Sequence, residues 1–469
     1  MSIEIEFVGA AQSVTGSRHL VRSAKSTILL DCGMFQGKRS RARERNERLG
    51  FRAQDVDAVV LSHAHIDHSG VLPMLCKQGY RGSIYATPAT RDLCAVMLMD
   101  AALIQAADAR FLNRAIERDH VDAEPISPLY EQDDVQQVLT QLIAVPYHHR
   151  QQIAEDAWVT LWDAGHVLGS AVVALELEDE GSTKRLVFSG DLGRHGLPIL
   201  RDPEVPTGAD CLLLESTYGD RLHPSVEAMD EQLAAVITRC QERGGKVIIP
   251  SFALERAQEV LFELKKLRQQ QRIPAIPVYV DSPLTVSVTS IFRLHPDCFD
   301  RESRVLVQEG ESPFDFPGLT YVTDVEQSKA LSASREPAVV ISASGMCEAG
   351  RVLHHLRAAI EDPRNAVVIV GFMAEHTLGR RIVERRPRVK IFGVERDLRA
   401  EVVVLNGFSA HADQRGLIDF AERCRAQGPL RQVALVHGEL AAQQALQGQL
   451  LARGFPNVSI PAERERLRV

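Results

Sequence analysis

Short apolar runs recur through the first half of the chain, and several end in a turn that carries a histidine or a carboxylate. The run 56–61, VDAVVL, is typical of a buried parallel strand, because such a strand is covered on both faces. Further strands are predicted at 3–8, 20–21, 26–30, 82–87, 158–162, 171–177, 185–189 and 211–214. Alanine- and leucine-rich helical patterns at 90–118 and 131–143 accompany these strands, which indicates a layered α/β fold.

A different pattern begins near residue 225, where strand and helix signals alternate. Apolar strands are predicted at 245–250, 278–280, 338–341 and 366–370, and each leads into a helical pattern. Strands that alternate with helices form parallel sheets covered by those helices. We therefore predict a separate α/β domain with a mostly parallel sheet in the middle of the chain.

The C-terminal segment returns to the style of the opening half. Strands predicted at 402–405 and 433–436 are each followed by a polar turn with a histidine, and a helix is predicted at 414–425. This return indicates that the middle domain is inserted into a first domain, which the end of the chain completes. The predicted boundaries are 1–218, 219–396 and 397–469.

The composition mainly excludes some classes of protein and site. A chain of 469 residues has room for two or three domains, and 45% hydrophobic residues are ordinary for a globular protein. We find no apolar stretch long enough to span a bilayer and no signal peptide, so we expect a cytoplasmic protein without a membrane partner. The eight cysteines form no C-x-x-C pair, which argues against a disulfide framework or a cysteine zinc site.

One loop concentrates metal-binding side chains. Directly after the strand at 56–61, three histidines and an aspartate fall within six positions: His63, His65, Asp67 and His68. Imidazole and carboxylate groups are donors that Zn2+ accepts. The alternative is a polar loop whose histidines satisfy one another, but four such donors would be costly to crowd together without a metal.

Other donors stand at the ends of later predicted strands. His166 lies in a glycine-rich turn, and Asp191 and Glu215 each follow an apolar run. Sites in layered α/β folds assemble from loops at one edge of the sheet, so we expect these residues to converge. Asp31 also follows a strand and is a candidate partner that orients a ligating histidine, with an Asx turn before Gly33 as the alternative.

Two features of the middle domain are candidates for contacting phosphate. A turn at Ser344 and Gly345 leads into a helix that carries Arg351, and helix N-termini favour anions. The stretch 380–399 is the most basic of the chain and fits a phosphate backbone, with a solvated surface as the alternative. The net charge of −8 argues mildly against a nucleic-acid partner, but a metal site concentrates carboxylates that its cations neutralise.

Taken in chain order, the donors form a family pattern. The motif His63-x-His65-x-Asp67-His68, followed by His166, Asp191 and His437, resembles the metallo-β-lactamase superfamily. Glu215, His411 and His437, with a domain-sized segment between the first two, resemble its β-CASP branch. That branch comprises nucleases, including the endonuclease subunit of the eukaryotic cleavage and polyadenylation machinery. Asp31, Ser282-Pro283 and the segment 342–346 (SASGM) also resemble the branch.

The resemblance implies a fold and a metal centre. The fold would be a metallo-β-lactamase αββα sandwich with an inserted β-CASP α/β domain. Two Zn2+ ions would be held, one by His63, His65 and His166 and the other by Asp67, His68 and His437, with Asp191 bridging. A histidine at the last motif goes with RNA substrates in this branch, whereas DNA-repair members carry valine. His437 therefore indicates RNA, which we expect to be single-stranded. The candidate substrate contacts are Ser282, Ser344, Gly345 and Arg351.

The predicted reaction is hydrolysis of RNA phosphodiester bonds by a hydroxide that two metals activate. His411, oriented by Glu215, is the predicted proton donor to the leaving ribose oxygen, and Asp67 belongs with them to the catalytic group. The expected products carry 5′-phosphate and 3′-hydroxyl ends. Cleavage is expected to be endonucleolytic; an additional 5′-exonuclease activity and a homodimer are open alternatives.

Two other functions stay open at this point. One is a small-molecule hydrolase on the same metal scaffold, such as a thioesterase or lactonase. The inserted domain and the basic stretch favour RNA instead, because a small ester needs no long groove. The other is a non-catalytic RNA-processing subunit, but such forms lose metal ligands, and here every donor is present.

Overall fold

The structure is a computed structural model that describes residues 3–37, 39–118, 124–179, 181–223, 226–371, 373–405, 407 and 409–469. These residues divide into two compact units. Unit 1 comprises Met1–His195, Asp202–Leu222 and His411–Val469, and unit 2 comprises Gly196–Arg201 and His223–Ala410. The domain boundaries predicted from sequence stay a prediction.

The elements of the N-terminal part of unit 1 follow in chain order. They are β1 (Glu4–Phe7), β2 (His19–Arg22), β3 (Thr27–Leu30), α1 (Arg39–Glu47), β4 (Ala58–Val60), α2 (Ile66–Ser69), α3 (Leu72–Lys77), β5 (Ser83–Ala86), α4 (Pro88–Arg118), α5 (Gln132–Gln141), β6 (Leu142–Ala144), β7 (Gln151–Ala154), β8 (Ala157–Asp163), β9 (Ala171–Asp179), β10 (Ser182–Phe188) and β11 (Cys211–Glu215).

Unit 2 and the C-terminal part of unit 1 complete the series. Unit 2 contains α6 (Val226–Glu242), β12 (Val247–Pro250), α7 (Arg256–Gln269), β13 (Val278–Val280), α8 (Pro283–Leu294), α9 (Arg301–Gln308), β14 (Leu319–Tyr321), α10 (Val325–Ala333), β15 (Val339–Ser342), α11 (Val352–Ala359), β16 (Ala366–Ile369), α12 (Leu378–Val383), β17 (Arg388–Ile391), β18 (Val394–Asp397) and β19 (Glu401–Val404). Unit 1 then adds α13 (Gln414–Ala426), β20 (Gln432–Val436), α14 (Leu440–Ala452), β21 (Val458–Ser459) and β22 (Arg466–Arg468).

Unit 1 is a sandwich of sheets. One sheet has the order β22-β1-β2-β3-β4-β5-β6 and the other the order β21-β20-β11-β10-β9-β8-β7. Side chains alternate across a strand, and β8 accordingly buries every second residue. The apolar faces meet in a core that includes Phe7, Val60, Leu161, Phe188 and Val436, each at most 1% exposed.

Helices cover the outer faces of this sandwich. α13 and α14 pack on the second sheet through a cluster that includes Leu417, Phe420 and Leu446. α4 and α5 pack against β6 and β5 of the first sheet. The result is an αββα arrangement, which confirms the predicted fold class. Residues 88–118 form one continuous helix rather than several.

Unit 2 has its own sheet and core. Its strands run in the order β14-β13-β15-β12-β16-β19, and every pairing is parallel. Val340, Leu356, Val367 and Ile382 belong to the buried cluster between this sheet and its helices. The predicted mostly parallel sheet with flanking helices is confirmed. No helix in the described ranges combines the length and the apolar character that crossing a membrane requires.

Candidate metal centre

Parallel strands bring the donors of unit 1 together. β10, β11 and β20 are parallel neighbours, so Asp191, Glu215 and His437 stand at or just beyond the same ends of these strands. The loop after β4 of the facing sheet carries His63 to His68. Convergence at one edge follows because parallel strands end together.

Asp31 fixes the shape of this loop. The residue adopts a left-handed backbone with φ of 57° directly after β3, and its carboxylate is fully buried. Oδ1 accepts a hydrogen bond from the Ser62 backbone N–H at 2.8 Å, and Oδ2 lies 2.7 Å from His68 Nδ1. A carboxylate that binds Nδ1 orients the ring so that Nε2 is left for a metal. The contact is the one that the role predicted for Asp31 requires, and that role stays a prediction.

Gly33 allows a second segment to approach the loop. The Ser17 backbone N–H donates to the carbonyl of Asp67 at 2.8 Å. A Cβ atom at Gly33 would lie 1.6 Å from that same carbonyl oxygen, so only glycine fits there. The position of Asp67 therefore depends on a backbone contact as well as on its own loop.

One group of donors consists of His63, His65, His166 and Asp191, whose ligand atoms lie within 4.8 Å of one another. His65 Nδ1 lies 3.1 Å from His63 Nε2 and 3.4 Å from His166 Nε2. Asp191 Oδ2 lies 3.6 Å from His63 Nε2 and 3.7 Å from His166 Nε2. Three imidazole nitrogens and one carboxylate oxygen at these separations match the donor set of a tetrahedral His/Asp metal site.

A second group consists of Asp67, His68 and His437, and a third, Asp191, Glu215 and His437, overlaps both the metal donors and the Glu215 position. His68 Nε2 lies 3.2 Å from His437 Nε2, and Asp67 Oδ2 lies 3.6 Å from the latter atom. Asp191 reaches this group too, with Oδ2 3.3 Å from His68 Nε2 and Oδ1 3.2 Å from His437 Nδ1. Asp191 is therefore placed between the groups, as a bridging ligand must be.

Burial sets the protonation of the first group. Desolvation lowers the pKa of His63 and His166 well below the usual value and that of His65 to about 4. These imidazoles are therefore neutral, which is the form that binds metals.

Two carboxylates of the site have lowered pKa values and are therefore ionised although they are buried. Burial alone would raise the pKa of Asp67, but His437 and the other nearby histidines lower it to about 2. The pKa of Asp191 is likewise lowered, since His437 and His68 outweigh its burial. Within the described residues, Asp191 Oδ1 accepts no hydrogen bond although it is buried. A divalent cation would satisfy this atom, so the donor set fits such an ion.

His411 and Glu215 form a pair beside the centre. His411 Nδ1 lies 3.1 Å from Glu215 Oε1 and 3.9 Å from Asp191 Oδ2. The carboxylate of Glu215 is fully buried and also accepts the backbone N–H groups of Leu192 and Thr217. Burial opposes protonation of His411, but Glu215 and Asp191 raise its pKa to about 9. The raised pKa favours the protonated form of His411, which is the form that a proton donor needs.

The candidate phosphate contacts lie in unit 2, where most of their polar atoms already have partners. Ser282 caps α8 by accepting from the Thr285 backbone N–H. Ser344 Oγ accepts from the backbone N–H groups of residues 348 and 349. Arg351 donates to Asp281 Oδ1 at 2.7 Å and to the carbonyls of residues 322 and 323. Gly345 lies against Phe252, whose ring would be 2.8 Å from an added Cβ. Their role in substrate binding stays a prediction.

The basic stretch 380–399 carries many internal ion pairs. Arg380 and Arg386 pair with Glu384, Arg388 and Arg399 with Asp397, and Arg396 with Glu361. These pairs are solvent-exposed and each is worth at most about 1 kcal/mol. They nevertheless reduce the net positive charge that this stretch offers to a phosphate backbone.

Several supporting residues were not identified from sequence. Thr217 Oγ1 lies 3.2 Å from His437 Nδ1, and Ser62 Oγ donates to Asp31 at 3.0 Å. His19 is fully buried between Phe7 and Phe188, and burial lowers its pKa to about 3. Ser62 and Thr217 lie within two residues of predicted donors, so their positions in the sequence could have indicated a supporting role. No pattern in the sequence distinguishes His19.

Replacing Asp31 by asparagine is expected to lower the affinity for a divalent metal such as zinc by about 10- to 100-fold, because His68 loses the carboxylate that would orient it. Asparagine tolerates the left-handed backbone, so the fold should persist. Competition with a chelator measures the affinity. Asp57→Asn is the matched control, since Asp57 also accepts a backbone N–H, that of Thr27, but stands before β4, at the opposite end of that strand from the donor loop. Equal zinc affinity in the two variants would contradict the role of Asp31.

Three family models match successive parts of the chain. The metallo-beta-lactamase superfamily model matches residues 16–226. The Beta-Casp domain model matches residues 257–382. The model of the Zn-dependent metallo-hydrolase RNA specificity domain matches residues 395–461.

Curated relatives match nearly the whole chain. Ribonuclease TTHA0252 of Thermus thermophilus is 40% identical over 453 residues, which cover 96% of both chains. The transcription termination factor FttA of Methanosarcina mazei is 31% identical over 90% of this chain, which spans only 65% of that factor's length. FttA of Thermococcus kodakarensis is 32% identical over 93% of this chain and 67% of its own.

A solved structure shows the same fold at low sequence identity. The crystal structure of a protein of unknown function from Enterococcus faecalis V583 aligns over 100% of both chains with a TM-score of 0.54 and 12% identity. Together with the matched models and relatives, the converging donors lead to one conclusion. The chain belongs to the β-CASP branch of the metallo-β-lactamase superfamily and is a metal-dependent RNA-processing hydrolase.

Proposed function

We propose that this ribonuclease binds two zinc ions and hydrolyses single-stranded RNA endonucleolytically, leaving 5′-phosphate and 3′-hydroxyl ends. The observation that carries the proposal is the pair of donor groups that share Asp191, with the protonated His411 beside them. His63, His65 and His166 would hold one ion, Asp67, His68 and His437 the other, and Asp191 would contact both. When bound, the ions would lower the pKa of water at the site and offset negative charge on the phosphate.

The chain's own residues supply the remaining steps. The attacking group is the hydroxide left when a water at the site releases a proton to solvent. Asp67, with its pKa of about 2, stays ionised and can accept a hydrogen bond from that group and orient it. A bond forms between that oxygen and phosphorus, and the bond from phosphorus to the ribose 3′ oxygen breaks. Glu215 holds His411 by Nδ1, so the proton of Nε2 is the one passed to the leaving oxygen. An alkoxide is a poor leaving group, and protonation removes that obstacle.

The comparisons support RNA as the substrate. The C-terminal match is to an RNA specificity domain, and it contains His411 and His437. A relative that matches 96% of this chain carries the name of a ribonuclease. We propose in addition that the RNA is single-stranded and that the protein acts in the cytoplasm. A homodimer and a 5′-exonuclease activity are open parts of the proposal.

Cleavage of RNA should require zinc and the second donor group. Purified protein loaded with zinc is expected to bind two ions per chain and to cut end-labelled RNA. The Asp67→Ala, His68→Ala double variant should bind fewer ions and should not cut the RNA. Elemental analysis and denaturing gels provide the measurements. Circular RNA distinguishes internal cleavage from attack at a 5′ end, because a circle has no end.

The matched control for that experiment is Asp57→Asn, which leaves all donors in place. Failure to cut any RNA with zinc, together with turnover of a thioester, would replace the proposal by a small-molecule hydrolase. If the enzyme cuts only linear RNA, one nucleotide at a time from the 5′ end, the activity is that of a 5′-exonuclease and the endonucleolytic part of the proposal is wrong.

A further inference from the structure

Unit 2 contains a polar cavity at the edge of its sheet where the parallel strands begin. The cavity has a volume of about 480 Å³. Its walls come from the C-terminal end of α10 and the two residues after it, from α11, and from residues at the starts of β12 and β16. The predicted phosphate contacts Ser282 and Ser344 follow the other ends of β13 and β15, so this cavity is not part of that set.

Lys246 is the central feature of the cavity. The residue is only 6% exposed, and its Nζ donates to the carbonyl of Leu331 at 2.6 Å. Among the described residues, no carboxylate forms an ion pair with it. An ammonium group has three N–H donors, so two remain for a ligand. Burial lowers the pKa of Lys246, because the buried position disfavours the charged ammonium.

The rest of the lining adds positive charge and hydroxyl donors. Arg335 is exposed at the rim and, within the described part of the chain, forms no ion pair. Its positive charge contributes to lowering the pKa of Asp362. The carboxylate of Asp362 is itself engaged by Arg364 at 2.7 Å. Ser332 and Ser334 also line the cavity. The summed charge is positive, and the groups are the donors that proteins use for phosphate.

We propose that this cavity, defined by Lys246, Arg335 and Ser332, binds the terminal phosphate of a phosphate monoester. Its volume falls within the range of small-molecule sites, about 300–1,000 Å³. A phosphate inside an RNA chain carries a nucleotide on each side and could not reach a lysine buried this deeply. A terminal phosphate can reach it, and it comes either from a small ester or from the 5′ end of an RNA.

The cavity is also connected to Arg351. His355 lines the cavity, with Nδ1 3.1 Å from Ser332 Oγ. Its Nε2 lies 2.6 Å from Asp281 Oδ2, and Asp281 in turn accepts from Arg351 at 2.7 Å. A ligand that engages the hydroxyl of Ser332 therefore contacts a buried hydrogen-bonded chain that ends at a predicted RNA contact.

Calorimetric titration of inorganic phosphate into the zinc-loaded enzyme tests the proposal. Lys246→Met and Arg335→Gln should each weaken one class of binding at least tenfold, and Lys329→Met, on the exposed face of α10, should not. Phosphate held at the metal centre would survive both cavity variants but not Asp191→Asn, which separates the sites. Removal of an unpaired buried charge is often neutral for stability, and Arg335 is exposed, so the variants should fold. Melting temperatures verify this.

The two sources of phosphate are separated with further probes. A preference for 5′-phosphorylated over 5′-hydroxyl RNA that is lost in Lys246→Met assigns the RNA end. An effect on 5′-AMP and inorganic phosphate alone assigns a small ester. Unchanged phosphate affinity in Lys246→Met and Arg335→Gln, or no binding beyond the metal centre, would overturn the proposal whether or not the enzyme cuts RNA.

Discussion

The Asp191→Asn enzyme is expected to lose RNA cleavage by about 10³-fold or more, since removal of a single charge-stabilising donor already costs about 10²–10³. Asp191 lies within 3.9 Å of ring nitrogens of His63, His68, His166, His411 and His437. Its loss should therefore weaken both metal sites at once. Asparagine keeps the size of the side chain but removes its charge, so the amide offers a cation a much weaker ligand.

Steady-state cleavage of a fluorescent RNA and zinc content per chain are the two measurements for Asp191→Asn. Asp202→Asn is the matched control, because Asp202 lies on the same connecting segment but is exposed and pairs with His195. A variant that retains both zinc ions and cuts RNA at near the normal rate would show that Asp191 does not bridge the metals.

The His411→Ala enzyme is expected to keep its zinc and lose about 10²–10⁴-fold in kcat on RNA, the usual contribution of a general acid. The donor groups of both predicted metal sites exclude His411, whereas its Nδ1 is held by the buried Glu215. Loss of proton donation should slow departure of the ribose oxygen without emptying the metal centre. Glu215→Gln should show a smaller loss of the same kind, since it affects only the orientation and charge of His411.

A substrate with a good leaving group distinguishes this role from a structural one. Bis(4-nitrophenyl) phosphate releases an anion that needs no proton, so His411→Ala should slow its hydrolysis far less than that of RNA. His195→Ala provides the control, because His195 is an exposed histidine that pairs with Asp202. An equal loss on both substrates would show that His411 does not act as the proton donor.

Much of the donor set could be predicted because its signals are local. His63, His65, Asp67 and His68 stand in one loop, and the later donors each follow an apolar strand. The parallel sheet of unit 2 was likewise predicted from alternating strand and helix patterns, and the structure confirms it. Local patterns suffice here because an apolar run and its turn specify a strand end wherever that strand lies in the sheet.

Partners of charged groups could not be predicted in the same way. Arg351 looked available for phosphate, yet in the fold its guanidinium is bound to Asp281, 70 residues earlier in the chain. The basic stretch 380–399 pairs with Glu384, Asp397 and Glu361. Lys246 was an unremarkable residue at a strand start, and the fold alone reveals that it is buried without a carboxylate. Such pairings depend on separation in space, which composition and spacing do not encode.

The sequence by itself determined the donor types, their order and the fold class, because hydrophobic periodicity and turn residues act over a few neighbouring positions. Only the tertiary structure decided which donors meet. Asp191 lies between two donor groups, Asp31 contacts His68 Nδ1, and Glu215 contacts His411 Nδ1. The physical reason is that ligand distances and pKa values depend on burial and on charges a few ångströms away, and those neighbours come from strands far apart in the chain.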